Sequence, residues 1–220
     1  MKKMYLEELA RRYPQLENCL SDVETVCELM VAAYRKEKKV LVCGNGGSCA
    51  DADHIVGELM KGFLNKRPLD GTLQSALIQY GGAELADRLQ TPLRAINLCS
   101  MPALSTAFAN DVEPNHVFAQ LALGYVDAGD VFIGISTSGN ARNVRYAAIT
   151  AKAKGAKLVG FTGKTGGEMC ESGLYDVLIR VPETVTHFIQ EAHIAIYHAV
   201  CLTVEHEIFV DYEQMSNKAI

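Results

Sequence analysis

The apolar positions of this chain change their period along its length. Residues 4–36 carry apolar side chains at helical spacing, interrupted near Pro14, which predicts one or two N-terminal helices. From residue 39 onward, short runs rich in Val, Ile and Leu alternate with longer stretches of helical periodicity. We expect strands near 39–43, 94–98, 130–135, 157–162 and 176–181, and helices near 48–63, 101–110, 114–125, 140–154, 166–172 and 184–210.

This alternation predicts an α/β fold, a three-layer α/β/α sandwich around a five-stranded parallel sheet with right-handed crossovers. The strands are almost continuously apolar, which is typical of parallel sheets that are buried on both faces. We expect an N-terminal helical arm over residues 1–36 and the main domain over residues 37–220.

One stretch, residues 64–93, departs from the alternation. It contains Pro68, Gly81-Gly82 and Pro92 around a polar helical piece near 83–90. A connection of this length is unusual inside a compact domain unless it has a role. A lid over a pocket, an added subunit contact and a tolerated surface insertion all remain open.

Composition narrows the class of protein. The chain has 220 residues, 49% of them hydrophobic, and a net charge of −5 without a basic face, which disfavours nucleic-acid binding. No apolar run is long enough to span a bilayer, and the N-terminus is too acidic for a signal peptide. The seven cysteines form no C-x-x-C pair, so we expect reduced thiols in a cytoplasmic protein.

Two loops carry the pattern of an anion site. Residues 44–48 read GNGGS directly after the first predicted strand, and residues 136–140 read STSGN directly after the third. In each case a strand, a turn of small residues and a helix follow one another. This arrangement directs backbone N–H groups, hydroxyls and the positive end of a helix at one point, as a bound phosphate requires.

Two helices carry side chains suited to proton transfer. His54 and Glu58 are four residues apart on the helix after the first loop, so they share a face. The last helix places Gln190, Glu191 and His198 among apolar neighbours, where a polar group needs a partner or a function. The spacing H-x-x-x-E is no specific metal signature and by itself favours a site without metal. Helical geometry alone pairs His198 with Glu191 rather than with Gln190.

Five motifs, in order, give the chain a resemblance to a known family. They are the GNGGS loop continued by residues 51–59, AND at 109–111, GISTSGN at 134–140, TGKTGG at 162–167 and IQEAH at 189–193, followed by His198. They resemble the sugar isomerase (SIS) domain and, within it, are most similar to phosphoheptose isomerases. The resemblance covers residues from about 25 to about 205.

The resemblance implies an activity and an assembly. Phosphoheptose isomerases interconvert a ketose and an aldose, sedoheptulose 7-phosphate and D-glycero-D-manno-heptose 7-phosphate, through an enediol on the route to ADP-heptose. The resemblance further implies a cytoplasmic homotetramer with active sites at subunit interfaces, acting on a sugar phosphate without nucleic acid or membrane.

The resemblance also implies roles for individual residues. Glu58 matches the catalytic base and His198 its partner acid/base. One zinc ion per active site is implied through His54, Glu58, Gln190 and His198, which favours Gln190 over Glu191. The substrate contacts implied by the resemblance are Asn45, Gly46, Gly47, Ser48, Asp111, Ser136, Thr137, Ser138 and Gln190.

Two alternatives remain beside this interpretation. The segment 64–93 is longer than the corresponding connection in the family, which leaves room for an isomerase of another phosphosugar. Some SIS proteins bind sugar phosphates or partner proteins without catalysis. Those tend to lack the glutamate and the histidine, which are both present here as Glu58 and His198.

Overall fold

The computed structural model of the protein describes residues 4–210. In this range strands and helices alternate as predicted, and all five predicted strands are confirmed within one residue at their starts. The strands are β1 (Val40–Gly44), β2 (Ala95–Asn97), β3 (Val131–Ile135), β4 (Lys157–Thr162) and β5 (Val177–Arg180). The helices are α1 (Met4–Arg12), α2 (Leu20–Tyr34), α3 (Gly47–Met60), α4 (Gly71–Gln79), α5 (Ala83–Arg88), α6 (Pro102–Asp111), α7 (Val117–Tyr125), α8 (Arg142–Ala153), α9 (Gly167–Glu171) and α10 (Thr186–Glu205).

The five strands form one parallel sheet in the order β2-β1-β3-β4-β5. The chain runs from β1 outward to β2 and then returns to β3 on the other side of β1. The predicted α/β fold with a five-stranded parallel sheet is therefore confirmed. Because β1 and β3 are neighbours, the loops that follow them meet at the carboxyl edge of the sheet, where ligands of open α/β sheets bind.

Each face of the sheet is covered by a layer of helices. Val40 and Val42 of β1 pack into a core formed with α1, α2, α3 and α10. Leu41 and Cys43 point the other way, into a core formed with α7 and α8. This alternation buries both faces of β1, which explains why the strand is apolar at every position.

The N-terminal helices contribute directly to the first of these cores. Leu6 and Leu9 of α1 and Val23, Val26 and Met30 of α2 are buried together with residues of β1 and α10. The apolar stripe that predicted these helices is thus covered within the chain itself. The division of the protein at residues 36 and 37 stays a prediction.

The segment 64–93 contains two helices, α4 and α5, of which sequence reasoning anticipated only the second. The carboxylate of Asp70 accepts hydrogen bonds from the backbone N–H groups of Thr72 and Leu73, each at 3.0 Å, and so caps the start of α4. No residue of α4 is buried, and Ile78 and Tyr80 are strongly exposed.

Within the described residues 4–210, no helix combines the length and the apolar character that crossing a membrane requires.

Candidate active site

The loops after β1 and β3 enclose a pocket at the carboxyl edge of the sheet. Its volume is about 370 Å³. Every predicted substrate contact except Asp111 lines it. The lining residues are Asn45, Gly46, Gly47, Ser48, Ile135, Ser136, Thr137, Ser138, Ala141, Thr186 and Gln190.

Three helix N-termini meet at this pocket. Gly47 is the first residue of α3, Ala141 is the N-cap of α8, and Thr186 is the first residue of α10. A helix N-terminus carries roughly half a positive charge and unpaired N–H groups. Because none of the residues lining the pocket is a lysine or an arginine, these helix ends and the loop hydroxyls supply its attraction for an anion.

One glycine of the first loop is required by the backbone, and the next packs against Gln190. Gly46 has a φ of 55° and a ψ of −119°, a conformation that is strained for any residue with a Cβ. Gly47 lies directly beneath the side-chain amide of Gln190, so a Cβ at this position would overlap it. Gln190 thereby closes one side of the pocket from α10.

A pair of amides joins the two loops to each other. Asn45 Nδ2 donates to Asn143 Oδ1 at 2.9 Å, and Asn143 Nδ2 donates to Asn45 Oδ1 at 2.8 Å. Within the second loop, Ser136 Oγ accepts a hydrogen bond from the backbone N–H of Ala141 at 3.3 Å. These bonds hold the entrances of α3 and α8 at a fixed separation before any ligand arrives.

A second group of polar side chains lies further along α3 and α10. His54 Nε2 is 3.4 Å from Glu58 Oε1 and 3.3 Å from His198 Nε2. The other oxygen of Glu58 accepts a hydrogen bond from Lys61 Nζ at 2.9 Å. Partial burial, followed by the nearby His54, lowers the pKa of His198, which favours its neutral imidazole at pH 7. This group, His54 with Glu58 and His198, is called the acid–base cluster below.

The end of α3 that bears Glu58 is fixed by a buried ion pair. Arg67 and Glu205 have fully buried side chains, with Arg67 Nη2 and Glu205 Oε1 2.8 Å apart. Arg67 also donates to the carbonyl oxygens of Leu59 at 2.6 Å and Glu58 at 3.3 Å. Glu205 accepts from the backbone N–H groups of residues 63–65. A cation at the C-terminus of a helix stabilises its last carbonyls, so this pair holds the backbone of Glu58 in place.

Neither Gln190 nor Asp111 belongs to the acid–base cluster. Gln190 sits in the loop pocket, and the eight residues that separate it from His198 correspond to a rise of about 12 Å along α10. Asp111 is exposed at the end of α6, where its Oδ1 accepts a hydrogen bond from the side-chain amide of Asn110 at 2.8 Å. Within one chain, therefore, the predicted zinc ligands are brought together only as far as His54, Glu58 and His198.

The acid–base cluster has donor atoms that suit zinc. Two ligands of a tetrahedral zinc ion, at 2.0–2.1 Å from the metal, are about 3.3 Å apart, close to both distances that His54 Nε2 makes. Both distances are measured from His54, so they describe two pairs of possible ligands and not a complete three-ligand site. Across residues 4–210, no group of three or more His, Cys, Asp and Glu side chains that could hold a metal ion is present.

Sequence reasoning missed the residues that support the site from behind. Tyr197 and Asp51 lie next to His54 inside the protein, and both are buried. Burial raises the pKa of Asp51 to about 6, although the hydrogen bond from Tyr197 and the nearby His54 act in the opposite direction. The only sequence signal for Asp51 is its place inside a motif of the resemblance. For Tyr197 there is none, because a tyrosine in an apolar helix is ordinarily a core residue.

Comparison with known proteins identifies the family of this chain. The SIS-domain family model matches residues 103–204, and a second SIS-domain model matches residues 4–77. A phosphoheptose isomerase of Sulfurimonas denitrificans is 38% identical over 217 residues, 96% of this chain and 98% of that protein. One from Burkholderia pseudomallei is 39% identical over 193 residues, 88% of this chain and 85% of that protein.

Solved structures of phosphoheptose isomerases share the fold of this chain. The phosphoheptose isomerase of Neisseria gonorrhoeae superposes with a TM-score of 0.71 at 32% identity, covering 91% of this chain and 94% of that one. The phosphoheptose isomerase of Francisella tularensis reaches a TM-score of 0.74 at 26% identity, covering 92% and 95%. With its five-stranded parallel sheet, its loop pocket and these relatives, the chain belongs to the phosphoheptose isomerase family of SIS-domain proteins.

Proposed function

We propose that the protein is an aldose–ketose isomerase that converts sedoheptulose 7-phosphate into D-glycero-D-manno-heptose 7-phosphate. The observation that carries the proposal is the pairing of two features: an uncharged pocket at three helix N-termini, and a glutamate beside two histidines on the same helices. The first suits a phosphate and the second suits proton transfer. Relatives that match almost the whole chain carry the name phosphoheptose isomerase.

The phosphate takes no part in the chemistry of this reaction. Its binding in the loop pocket, to Ser48, Ser136, Thr137 and Ser138, orients the carbon chain of the sugar. Binding energy from a remote, non-reacting group of this kind is used to align the reacting carbons. Gln190 lines the same pocket, and we propose that it contacts the sugar or its phosphate.

Glu58 is proposed as the base that moves the carbon-bound proton. Its carboxylate takes a proton from C1 of the ketose, giving an enediol, and a proton is then delivered to C2 of the aldose. His198 moves protons between the oxygens on C1 and C2, for which a neutral imidazole is suited at pH 7. General acid–base steps of this kind contribute about 10²–10⁴-fold each.

We also propose that the acid–base cluster binds a zinc ion. His54, Glu58 and His198 would hold it, whereas Gln190, the fourth ligand that the family resemblance implies, lies in the loop pocket of the same chain. When bound, zinc supplies a Lewis acid that stabilises negative charge on the enediolate oxygens. The support for zinc is the type of donor atom and the two distances of 3.3 and 3.4 Å around His54 Nε2.

The distance between the loop pocket and Glu58 supports a site shared by two subunits. Ser48 and Glu58 are ten residues apart on α3, a rise of about 15 Å. An extended sugar chain spans about 8 Å from its phosphorus to C2, at about 1.2 Å per bond. We therefore propose that one copy supplies the phosphate pocket and another the acid–base cluster, within a homo-oligomer for which a tetramer is the expected form. A cytoplasmic location is likewise a proposal.

The test is turnover of a panel of sugar phosphates by the purified protein. We expect sedoheptulose 7-phosphate to be isomerised faster than fructose 6-phosphate or ribulose 5-phosphate, and the product formed in D₂O to carry deuterium at C2. Preference for another sugar phosphate would replace the proposed substrate. Tight sugar-phosphate binding without turnover, with or without added zinc, would indicate a non-catalytic binding protein instead.

A further inference from the structure

A buried hydroxyl and a buried carboxylate lie behind the acid–base cluster, on the side of the His54 ring opposite its Nε2. Tyr197 Oη is 2.8 Å from His54 Nδ1. The same hydroxyl is 3.4 Å from Asp51 Oδ1. Tyr197 is 2% exposed and Asp51 is 6% exposed, so water does not readily substitute for either of these contacts.

The hydrogen-bonding capacity of the three groups favours one arrangement of their protons. A carboxylate only accepts hydrogen bonds, and a tyrosine hydroxyl has a single hydrogen to donate. Asp51 Oδ2 is buried and has no hydrogen-bond partner among the described residues, so Asp51 depends on the hydroxyl at its other oxygen. Tyr197 therefore donates to Asp51, and its oxygen accepts the Nδ1–H of His54.

This assignment leaves Nε2 of His54 without a proton. Its lone pair then points toward His198 Nε2 at 3.3 Å and toward the Glu58 carboxylate at 3.4 Å. A lone pair facing a carboxylate oxygen at this distance is unfavourable unless a cation or a shared proton lies between them. An unprotonated ring nitrogen is also the form of histidine that binds a metal.

We propose that Tyr197, backed by Asp51, is a positioning residue that holds His54 as its Nδ1–H tautomer and presents Nε2 to the acid–base cluster. Hydrogen bonds to the far nitrogen of a ligating histidine fix its tautomer and orientation, and their loss costs 10–100-fold in metal affinity or activity. The inference rests on the proposed function only for the role given to the acid–base cluster, because the tautomer is a property of the chain itself.

A purely structural role for Tyr197 is the competing explanation, since its ring packs in the core that includes α3 and α10. Tyr197→Phe separates the two roles because it keeps the ring and removes only the hydroxyl. Tyr175→Phe is the matched control: its hydroxyl is buried too, but has no hydrogen-bond partner among the residues described.

The first readout is the tautomer of His54 in metal-free protein labelled with ¹⁵N-histidine, with the signal assigned through His54→Ala. We expect Nδ1–H in the wild type and in Tyr175→Phe. In Tyr197→Phe we expect mainly Nε2–H, the form that a neutral histidine side chain prefers in water. The second readout is zinc affinity, measured by competition with a chromophoric chelator, which should fall about 10–100-fold in Tyr197→Phe alone.

Asp51→Asn provides a second route to the same question should Tyr197→Phe fold poorly. Its amide can donate to Tyr197, which frees the hydroxyl hydrogen to point at Nδ1 and forces the proton of His54 onto Nε2. The tautomer should therefore switch although the tyrosine is intact. If the wild type shows Nε2–H, or if both variants keep the wild-type tautomer and zinc affinity, the inference is wrong. Absence of isomerase turnover in the wild type would overturn only the proposed function.

Discussion

His54 Nε2 lies 3.3 Å from His198 Nε2, so the helix that follows the first loop and the last helix of the described chain meet through two imidazole nitrogens. The contact joins positions that are 144 residues apart in the sequence. Two neutral rings gain little from facing each other through nitrogen lone pairs. The arrangement becomes favourable when a proton or a metal ion lies between them, and the first prediction follows from this.

Zinc affinity should depend on both of these histidines. His54→Ala and His198→Ala should each weaken zinc binding by more than about 100-fold, since loss of a direct ligand costs at least as much as loss of its supporting hydrogen bond. Isothermal titration of metal-free protein with zinc measures the effect. His116→Ala removes an exposed histidine and serves as the control. Unchanged affinity in both cluster variants would remove zinc from the proposed site.

A site shared between subunits predicts that two variants, each inactive alone, regain isomerase activity when they assemble into mixed oligomers. Ser138→Glu places a carboxylate in the anion pocket, and Glu58→Gln removes the proposed base, so each protein alone should be inactive. If a site combines the pocket of one copy with the cluster of another, random co-assembly should return activity to about a quarter of the sites.

The experiment compares the two variants expressed together with each variant expressed and purified separately. Mixed oligomers should turn over sedoheptulose 7-phosphate, whereas each variant assembled alone should not. If mixed oligomers show no activity beyond the two parents, the pocket and the cluster of one chain work together, and the proposal of a shared site fails.

Much of the fold was predictable because both faces of the sheet are buried. Every position of β1 and β3 is buried, so these strands appear in the sequence as unbroken apolar runs. Helix α4 was not predicted because Asp70-Gly71 and Gly81-Gly82 at its two ends resemble turns, although Leu73, Ala76 and Leu77 stand at helical spacing between them. The capping carboxylate of Asp70 was the available signal.

The site was predictable where it depends on loops and only partly where it depends on packing. The glycines and hydroxyl side chains of the GNGGS and STSGN loops indicate tight, anion-binding turns from the sequence alone. The contacts of Gln190 depend instead on how α10 packs on α3, which places its amide over Gly47. Spacing along a single helix cannot specify this, and the same holds for the partnership of Tyr197 with His54.

The buried pair Arg67–Glu205 should be essential for stability, and its two halves should depend on each other. Glu205→Gln or Arg67→Met alone should cost about 3–5 kcal/mol, because each leaves a buried group without its partner. The double variant should be less destabilised than the sum of the two. Urea unfolding measures these effects, and Glu84→Gln on α5, whose partner Arg88 is exposed, should cost less than about 1 kcal/mol.

The same pair predicts sensitivity to acid. Burial alone would raise the pKa of Glu205, but hydrogen bonds from the backbone of Leu64 and Phe63, together with Arg67, outweigh it and lower the pKa. A lowered carboxyl pKa contributes stability that is present above the unfolded value of 4.5 and is lost as the pH falls through the folded value. The Glu205→Gln variant should therefore lack this pH-dependent contribution to stability. An acid unfolding transition identical to that of the wild type would contradict the prediction.

His193 should make a separate contribution at higher pH than Glu205, and its titrating group is a base rather than an acid. Burial lowers its pKa from 6.5 to about 4, although the hydrogen bond to the Thr162 carbonyl acts against this shift. The unfolded chain therefore binds a proton below pH 6.5 that the folded protein does not, so stability falls as the pH falls from 6.5 to 4.

His193→Gln keeps a donor for Thr162 and removes this titration. The difference in unfolding free energy between wild type and variant should shift by about 3 kcal/mol between pH 7 and pH 4, in favour of the variant at pH 4. Taking the difference cancels other groups that titrate in this range, such as Asp51. A difference that stays constant across these pH values would show that His193 is not held neutral.

The most direct measurement is turnover of sedoheptulose 7-phosphate by Glu58→Gln in the presence of excess zinc. The substitution keeps the shape of the side chain and removes the base. The proposed mechanism predicts a fall in kcat of about 10²–10⁴-fold, with sugar-phosphate binding retained because the loop pocket is intact. A kcat close to that of the wild type would show that another group moves the proton between C1 and C2.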